Sequence, residues 1–173
     1  MKTILTPIDF STITQAVIDE SVRLAESVNG TIILLHVVTP APPAPNAAAL
    51  ALLIDMQALE KSERKRALVR LKSIKKKLMA RFLTAEVECL IGQPGKSILS
   101  YSEKIKADYL VIGSRGHSSF YDLVVGSTAQ LILRRSHCPV LVIPPKFESA
   151  HAVSADTDVG EENPSTFKLE RTS

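Results

Sequence analysis

Five short apolar runs, each separated from the next by a longer stretch, constrain this chain more than any other feature. They are Thr3 to Ile8, Thr31 to Val38, Ala85 to Ile91, Tyr109 to Ile112 and Pro139 to Pro144. The second is almost entirely β-branched or leucine, and the fourth is Tyr-Leu-Val-Ile. Runs without polar alternation belong to strands covered on both faces, the situation of a parallel sheet. The last run is fenced by Pro139 and Pro144, and proline is tolerated at sheet edges, so this strand is expected at an edge or an interface.

The intervals have helical character. Thr12-Ile13-Thr14-Gln15 matches a capping box, followed by an apolar stripe of Ile13, Val17, Leu24 and Val28 that Asn29-Gly30 ends. A Pro/Ala-rich loop at 40–49 is too rich in proline for helix or central strand. Ala47 to Arg81 is a long helical stretch with room for one break, and Lys61 to Arg81 carries ten basic residues. Leu68, Leu71, Ile74 and Leu78 keep one face of it apolar and leave the rest cationic. Pro94 suits the first turn of a helix reaching about Lys106, with Ile98 and Ile105 inward. Leu123 to Arg135 is a last helix, with Leu131 and Ile132 inward. Five strands alternating with four helices predict an α/β fold with a parallel sheet and right-handed crossovers.

Composition narrows the class. At 173 residues, 45% hydrophobic and 23% charged, the chain suits one globular domain over residues 1–145. No apolar run approaches bilayer length, and Pro7 and Asp9 interrupt the start before a signal sequence can form. Cys89 and Cys138 have neither metal-ligand nor disulfide-framework spacing and suit reduced thiols in the cytoplasm. The net charge of +3 divides into +6 for residues 1–145 and −3 for 146–173. The acidic segment 146–173 has few large apolar residues, and a disordered or loosely docked tail is expected there.

The chemistry concentrates after the fourth run. Ile112 leads into Gly113-Ser114-Arg115-Gly116-His117, and Gly126-Ser127-Thr128 follows after nine intervening residues. A strand entering a glycine-bearing turn can cradle an anion, because glycines admit close approach and positive φ, while free N–H groups and a helix start favour negative charge. The spacing is neither the dinucleotide fingerprint nor a Walker A loop. Ligands of such sheets sit beyond the carboxyl ends of strands, where the strand order reverses. If strands one and four are neighbours, Asp9 and the glycine loop line one crevice. Asp9 then accepts hydrogen bonds from a ribose or amino group, or else caps the first helix.

Pro7-Ile8-Asp9-Phe10-Ser11, Leu34-Leu35-His36-Val37, Ala107-Asp108, the Gly113-x2-Gly116-x9-Gly126-Ser127 spacing and Cys138-Pro139-Val140-Leu141-Val142 together resemble the universal stress protein family. The resemblance covers about residues 2–144. It implies a Rossmann-like, open five-stranded sheet of order 3-2-1-4-5 with helices on both faces, and a homodimer through Pro139–Pro144. It is to the family's ATP-binding branch and implies ATP, or another adenine nucleotide, with Mg. Carried over by position, Asp9 and Val37 hold the adenosine, with Pro7 and Ile8 beside it. Gly113 and Gly116 admit ribose and phosphates, and Gly126, Ser127 and Thr128 hold phosphates. Ser114, Arg115 and His117 occupy variable loop positions.

These readings favour a nucleotide-binding regulatory protein of the stress response with an unidentified regulatory partner. A slow ATPase or phosphotransferase is a second reading, although no Ser–His–Asp, zinc or paired-carboxylate constellation supports dedicated hydrolysis. A third is a partner- or nucleic-acid-binding module using the basic helix 61–81. Without interleaved aromatics to stack on bases, that helix does not favour nucleic acid.

Overall fold

The computed structural model describes residues 1–40, 47–81, 83–114 and 125–145, and the side chains from residue 57 onward in the long helix that begins at Ala47. The elements run β1 (Lys2–Pro7), α1 (Thr14–Val28), β2 (Gly30–Val38), α2 (Ala47–Met79), β3 (Ala85–Ile91), α3 (Pro94–Lys104), β4 (Tyr109–Gly113), α4 (Ser127–Arg135) and β5 (Val140–Ile143). The five strands form one sheet of order β3-β2-β1-β4-β5, and all four pairings are parallel. All five apolar runs are strands, and β5 is an edge strand as its prolines require.

The sheet is covered on both faces. On one, β-strand residues such as Ile4, Ile32, Leu34 and Val111 pack with Val17 and Val22 of α1 and Ala67, Leu71 and Leu78 of α2. On the other, Leu5, Leu35, Leu110 and Ile112 pack with Ile98 of α3 and Ala129 and Ile132 of α4. Burying each large side chain from water contributes about 1.5–3 kcal/mol, which makes these two layers the main source of stability. Thr6 is the polar exception in β1. Its hydroxyl donates to Ser21 Oγ at 2.9 Å, and Ser21 Oγ donates to Val17 O at 2.8 Å, so neither buried group loses its hydrogen bonds. On the second face α3 crosses α4 at Gly95. A β-carbon there would lie 2.8 Å from Leu131 Cδ2, so a larger residue would require the Leu131 side chain to shift.

α2 is one continuous helix of 33 residues; no glycine or proline interrupts residues 47–81. Its buried stripe is Ala67, Leu71 and Leu78 with Leu68 and Ile74 beside it, a 3–4 spacing that places one face on the sheet. The Pro/Ala loop ends earlier than its composition suggests, because 47–49 are already helical; residues 41–46 and the tail 146–173 lie outside the described residues. Both cysteines are free thiols. Burial pushes the Cys89 thiol above its ordinary range, with Arg64 opposing.

On the outer edge of β3 the backbone groups of Cys89 are covered by side chains. Cys89 N–H donates to Glu88 Oε1 at 3.0 Å, and Cys89 O accepts from Arg64 Nε at 3.3 Å. A capped edge is a poor template for another strand. Asp108 fixes the opposite end of β1 against β4. Its Oδ2 accepts from Thr3 N at 2.8 Å, and its Oδ1 from Lys2 Nζ at 2.7 Å. The Lys2 hydrogen bond first, then that of Thr3 N–H, holds the Asp108 carboxyl below the usual carboxylate range. A lowered folded value stabilises the fold above the unfolded value, near 3.9, and the contribution is lost as pH falls through the folded value. Asp108→Asn should therefore melt below the parent protein at neutral pH, with the gap closing in acid. Thermal melts across pH test this; a gap independent of pH would mean that the carboxylate charge contributes nothing.

Candidate functional site

β1 and β4 are adjacent, and from them the chain turns outward in opposite directions, to β2 and β3 on one side and β5 on the other. The segments leaving β1 and β4 go to helices on opposite faces of the sheet. A cleft therefore opens between them at the carboxyl ends of the strands. It has a volume of about 330 Å³.

Nine of the twelve expected site residues line this cleft. They are Pro7, Ile8 and Asp9 after β1, Val37 in β2, Gly113 and Ser114 after β4, and Gly126, Ser127 and Thr128 at the start of α4. The other three, Arg115, Gly116 and His117, lie outside the described residues. His36, at one of the strand ends expected to face the crevice, also lines it, as do Ile13, Thr14, Pro94, Ile98, Ala129 and Ile132, which were not anticipated. Only His36 left a sequence signal, as a polar residue near the carboxyl end of an otherwise apolar strand.

The β1 side is built by backbone and ring contacts. Ile8 N donates to Leu35 O at 2.8 Å, extending the β1–β2 ladder past Pro7. His36 Nδ1 lies 2.8 Å from Ile8 O; a carbonyl only accepts, so Nδ1 carries the proton in this contact. Asp9 Oδ1 accepts from Ser11 N at 3.0 Å, an Asx turn that points the carboxylate along the loop. This corrects the helix-cap alternative for Asp9. α1 begins at Thr14 after Ile13, with no side-chain cap, so the Thr12–Gln15 capping box does not form either. Thr14 N instead donates to Ser11 O at 3.1 Å.

The β4 side presents donors. Ser114 N donates to Ile143 O and Gly126 N to Ser114 O, both at 2.8 Å, which hold the start of α4 against the end of β4. Gly126 precedes α4 with φ −60° and ψ 154°, and among the described residues no side chain caps the helix. The first N–H groups of a helix have no partner within it, and the N-terminal end of the dipole favours negative charge. Val125 and Gly126 precede the helix, so α4 starts later than Leu123. Neither Gly113 nor Gly126 has positive φ. Their value at this site is the absence of a side chain, and the expectation of left-handed backbone does not hold for them. Ser114 Oγ and Thr14 Oγ1 are buried without a hydrogen-bond partner among the described residues. Buried hydroxyls are normally satisfied, and both residues line the cleft. The arrangement suits a ligand with a polar, hydrogen-bonding body near Asp9 and an anionic end at α4.

Comparison with known proteins agrees in fold and family. The model of the universal stress protein family matches residues 1–144. Universal stress protein A homolog 1 of Coxiella burnetii is 31% identical over 143 residues, covering 82% of this chain and 95% of that one. The solved universal stress protein UspA of Lactobacillus plantarum superimposes with a TM-score of 0.68 at 26% identity, over 82% of this chain and 97% of the other. Two further structures share the fold. A universal stress protein in complex with cAMP is 23% identical with a TM-score of 0.60, over 82% of this chain and 96% of that one. A family protein of Arabidopsis thaliana with AMP bound is 17% identical with a TM-score of 0.60, over 88% and 97%. With the family model matching nearly every residue up to the end of β5, this chain belongs to the universal stress protein family.

Proposed function

We propose that this protein binds an adenine nucleotide, ATP in the first instance, in the cleft between β1 and β4, and acts as a regulatory protein of the stress response through a nucleotide-dependent homodimer. The observation that carries this reading is the convergence of the Asp9 loop with the uncapped start of α4 and the two unsatisfied hydroxyls of Ser114 and Thr14. Two proteins of the same fold hold AMP and cAMP, which share the adenosine and at least one phosphate. Asp9, with Pro7, Ile8 and Val37, receives the adenosine. Gly113, Ser114, Gly126, Ser127 and Thr128 receive the phosphates, and the loop residues Arg115, Gly116 and His117 complete the cradle. Among the described residues no group of three or more His, Cys, Asp or Glu could hold a metal ion. Mg would enter with the nucleotide phosphates and keep several waters, as that ion prefers.

Calorimetric titration of ATP and inorganic triphosphate into the parent protein and Asp9→Ala tests the reading. Losing a hydrogen bond to an ionised group costs about 1.5–3 kcal/mol, or about ten- to a hundredfold in affinity. Asp9→Ala should show that loss for ATP and little for triphosphate. Equal losses for both would mean that Asp9 acts only through its turn.

A further inference from the structure

Phe10 follows Asp9 and has a left-handed backbone, φ 61°, which bulky L-residues rarely adopt. Such a conformation persists only where surrounding contacts hold it. The Phe10 ring meets the His36 ring, with centroids 4.7 Å apart and planes at 36°. The guanidinium carbon of Arg70, from α2, lies over the same ring, 3.9 Å from its centroid. Arg70 is exposed and makes no ion pair among the described residues. A guanidinium at this distance is attracted to the ring face.

The contacts form a chain that ends at the cleft. Arg70 holds Phe10, and Phe10 packs on His36, which is hydrogen-bonded to Ile8 O. Asp9 lies between Ile8 and Phe10, with its carboxylate turned to Ser11 N. Releasing the ring would let Phe10 leave its disfavoured backbone, and the turn that aims Asp9 would have to be re-formed when a ligand arrives. Ordering a loop at the moment of binding lowers affinity.

We infer that Arg70, acting through Phe10, is a positioning residue for Asp9: the cationic helix α2 sets adenosine affinity without lining the cleft. The inference rests on the nucleotide reading given above. It assigns part of the basic run in α2 a role inside the protein.

Calorimetry of ATP and inorganic tripolyphosphate with Arg70→Met and Arg70→Lys tests it in the full chain. Methionine keeps much of the apolar stem and removes the cation, whereas lysine keeps a cation able to sit over the ring. Arg70→Met should bind ATP roughly three- to tenfold more weakly, with tripolyphosphate unchanged and most of the affinity restored in Arg70→Lys. An unchanged ATP affinity in Arg70→Met overturns the inference. So does an equal loss for both ligands, which would report only the removal of a positive charge from the protein's field. If the parent protein binds tripolyphosphate but discriminates no adenosine, or binds neither ligand, the nucleotide reading fails first and takes the inference with it.

Discussion

Gly126→Val should bind ATP about a hundredfold more weakly than the parent protein, a loss matching two missing hydrogen bonds to charged groups at the low end of their range, and yet melt only about a few degrees lower. The two halves of this expectation have separate causes. At φ −60° and ψ 154° the backbone of Gly126 lies in a region open to valine, so no backbone strain arises. Valine is a poor residue before a helix, with a stability penalty on the order of 1 kcal/mol. The isopropyl group, however, would occupy the space beside the first N–H groups of α4, where the phosphates are proposed to sit. Gly126→Ala should fall between the two in affinity. Calorimetry with a thermal melt on each variant checks the expectation; full ATP affinity in Gly126→Val would remove α4 from the site.

Leu141→Lys should convert the proposed dimer to monomer. Among the described residues β5 has a neighbour, β4, on one side only, and Leu141 at its middle is 42% exposed. Pro139 and Pro144 bound it, so another chain can add only a few residues, which favours a closed pair over a fibril. A two-fold axis would lay β5 antiparallel to its copy and bring the residues at position 141 close together. Two lysines there repel and must be desolvated. The edge of β3 offers no alternative at Cys89, whose backbone groups are taken by Glu88 and Arg64. Light scattering on the parent protein and the variant settles the matter. A monomeric parent would refute the dimer itself, and a variant that remains dimeric would show the interface to be elsewhere.

The strands were legible because burial on both faces imposes an apolar run that few other structures require. All five runs became strands within a residue or two of their apolar limits. The order of the strands was not legible from periodicity; it came from the family resemblance, and the sheet has that order. Two helix starts, Ala47 and Pro94, fall where the sequence puts them, and the other two do not. The Thr12–Gln15 box and the apolar Leu123-Val124 pair each suggested an earlier start than Thr14 and Ser127. Local capping signals compete with the path that the chain must follow around the cleft, and at both places the path prevails. Glycine likewise announced a need for space at Gly113 and Gly126 without specifying positive φ. The contacts of Phe10 with His36 and Arg70 join residues 26 and 60 positions away, and no local pattern encodes such a meeting. Among the described residues left-handed backbone falls instead on Phe10, Asn29 and Lys106, of which only asparagine is a common choice.

Native mass spectrometry of the full chain purified without added nucleotide, followed by back-titration with ATP, AMP and cAMP, tests whether the cleft holds an adenine nucleotide. We expect a mass increment of one adenine nucleotide per chain, either carried through purification or restored by titration, and its loss in Gly126→Val. A parent protein that stays at its bare mass and takes up none of the three nucleotides at millimolar concentration would contradict it.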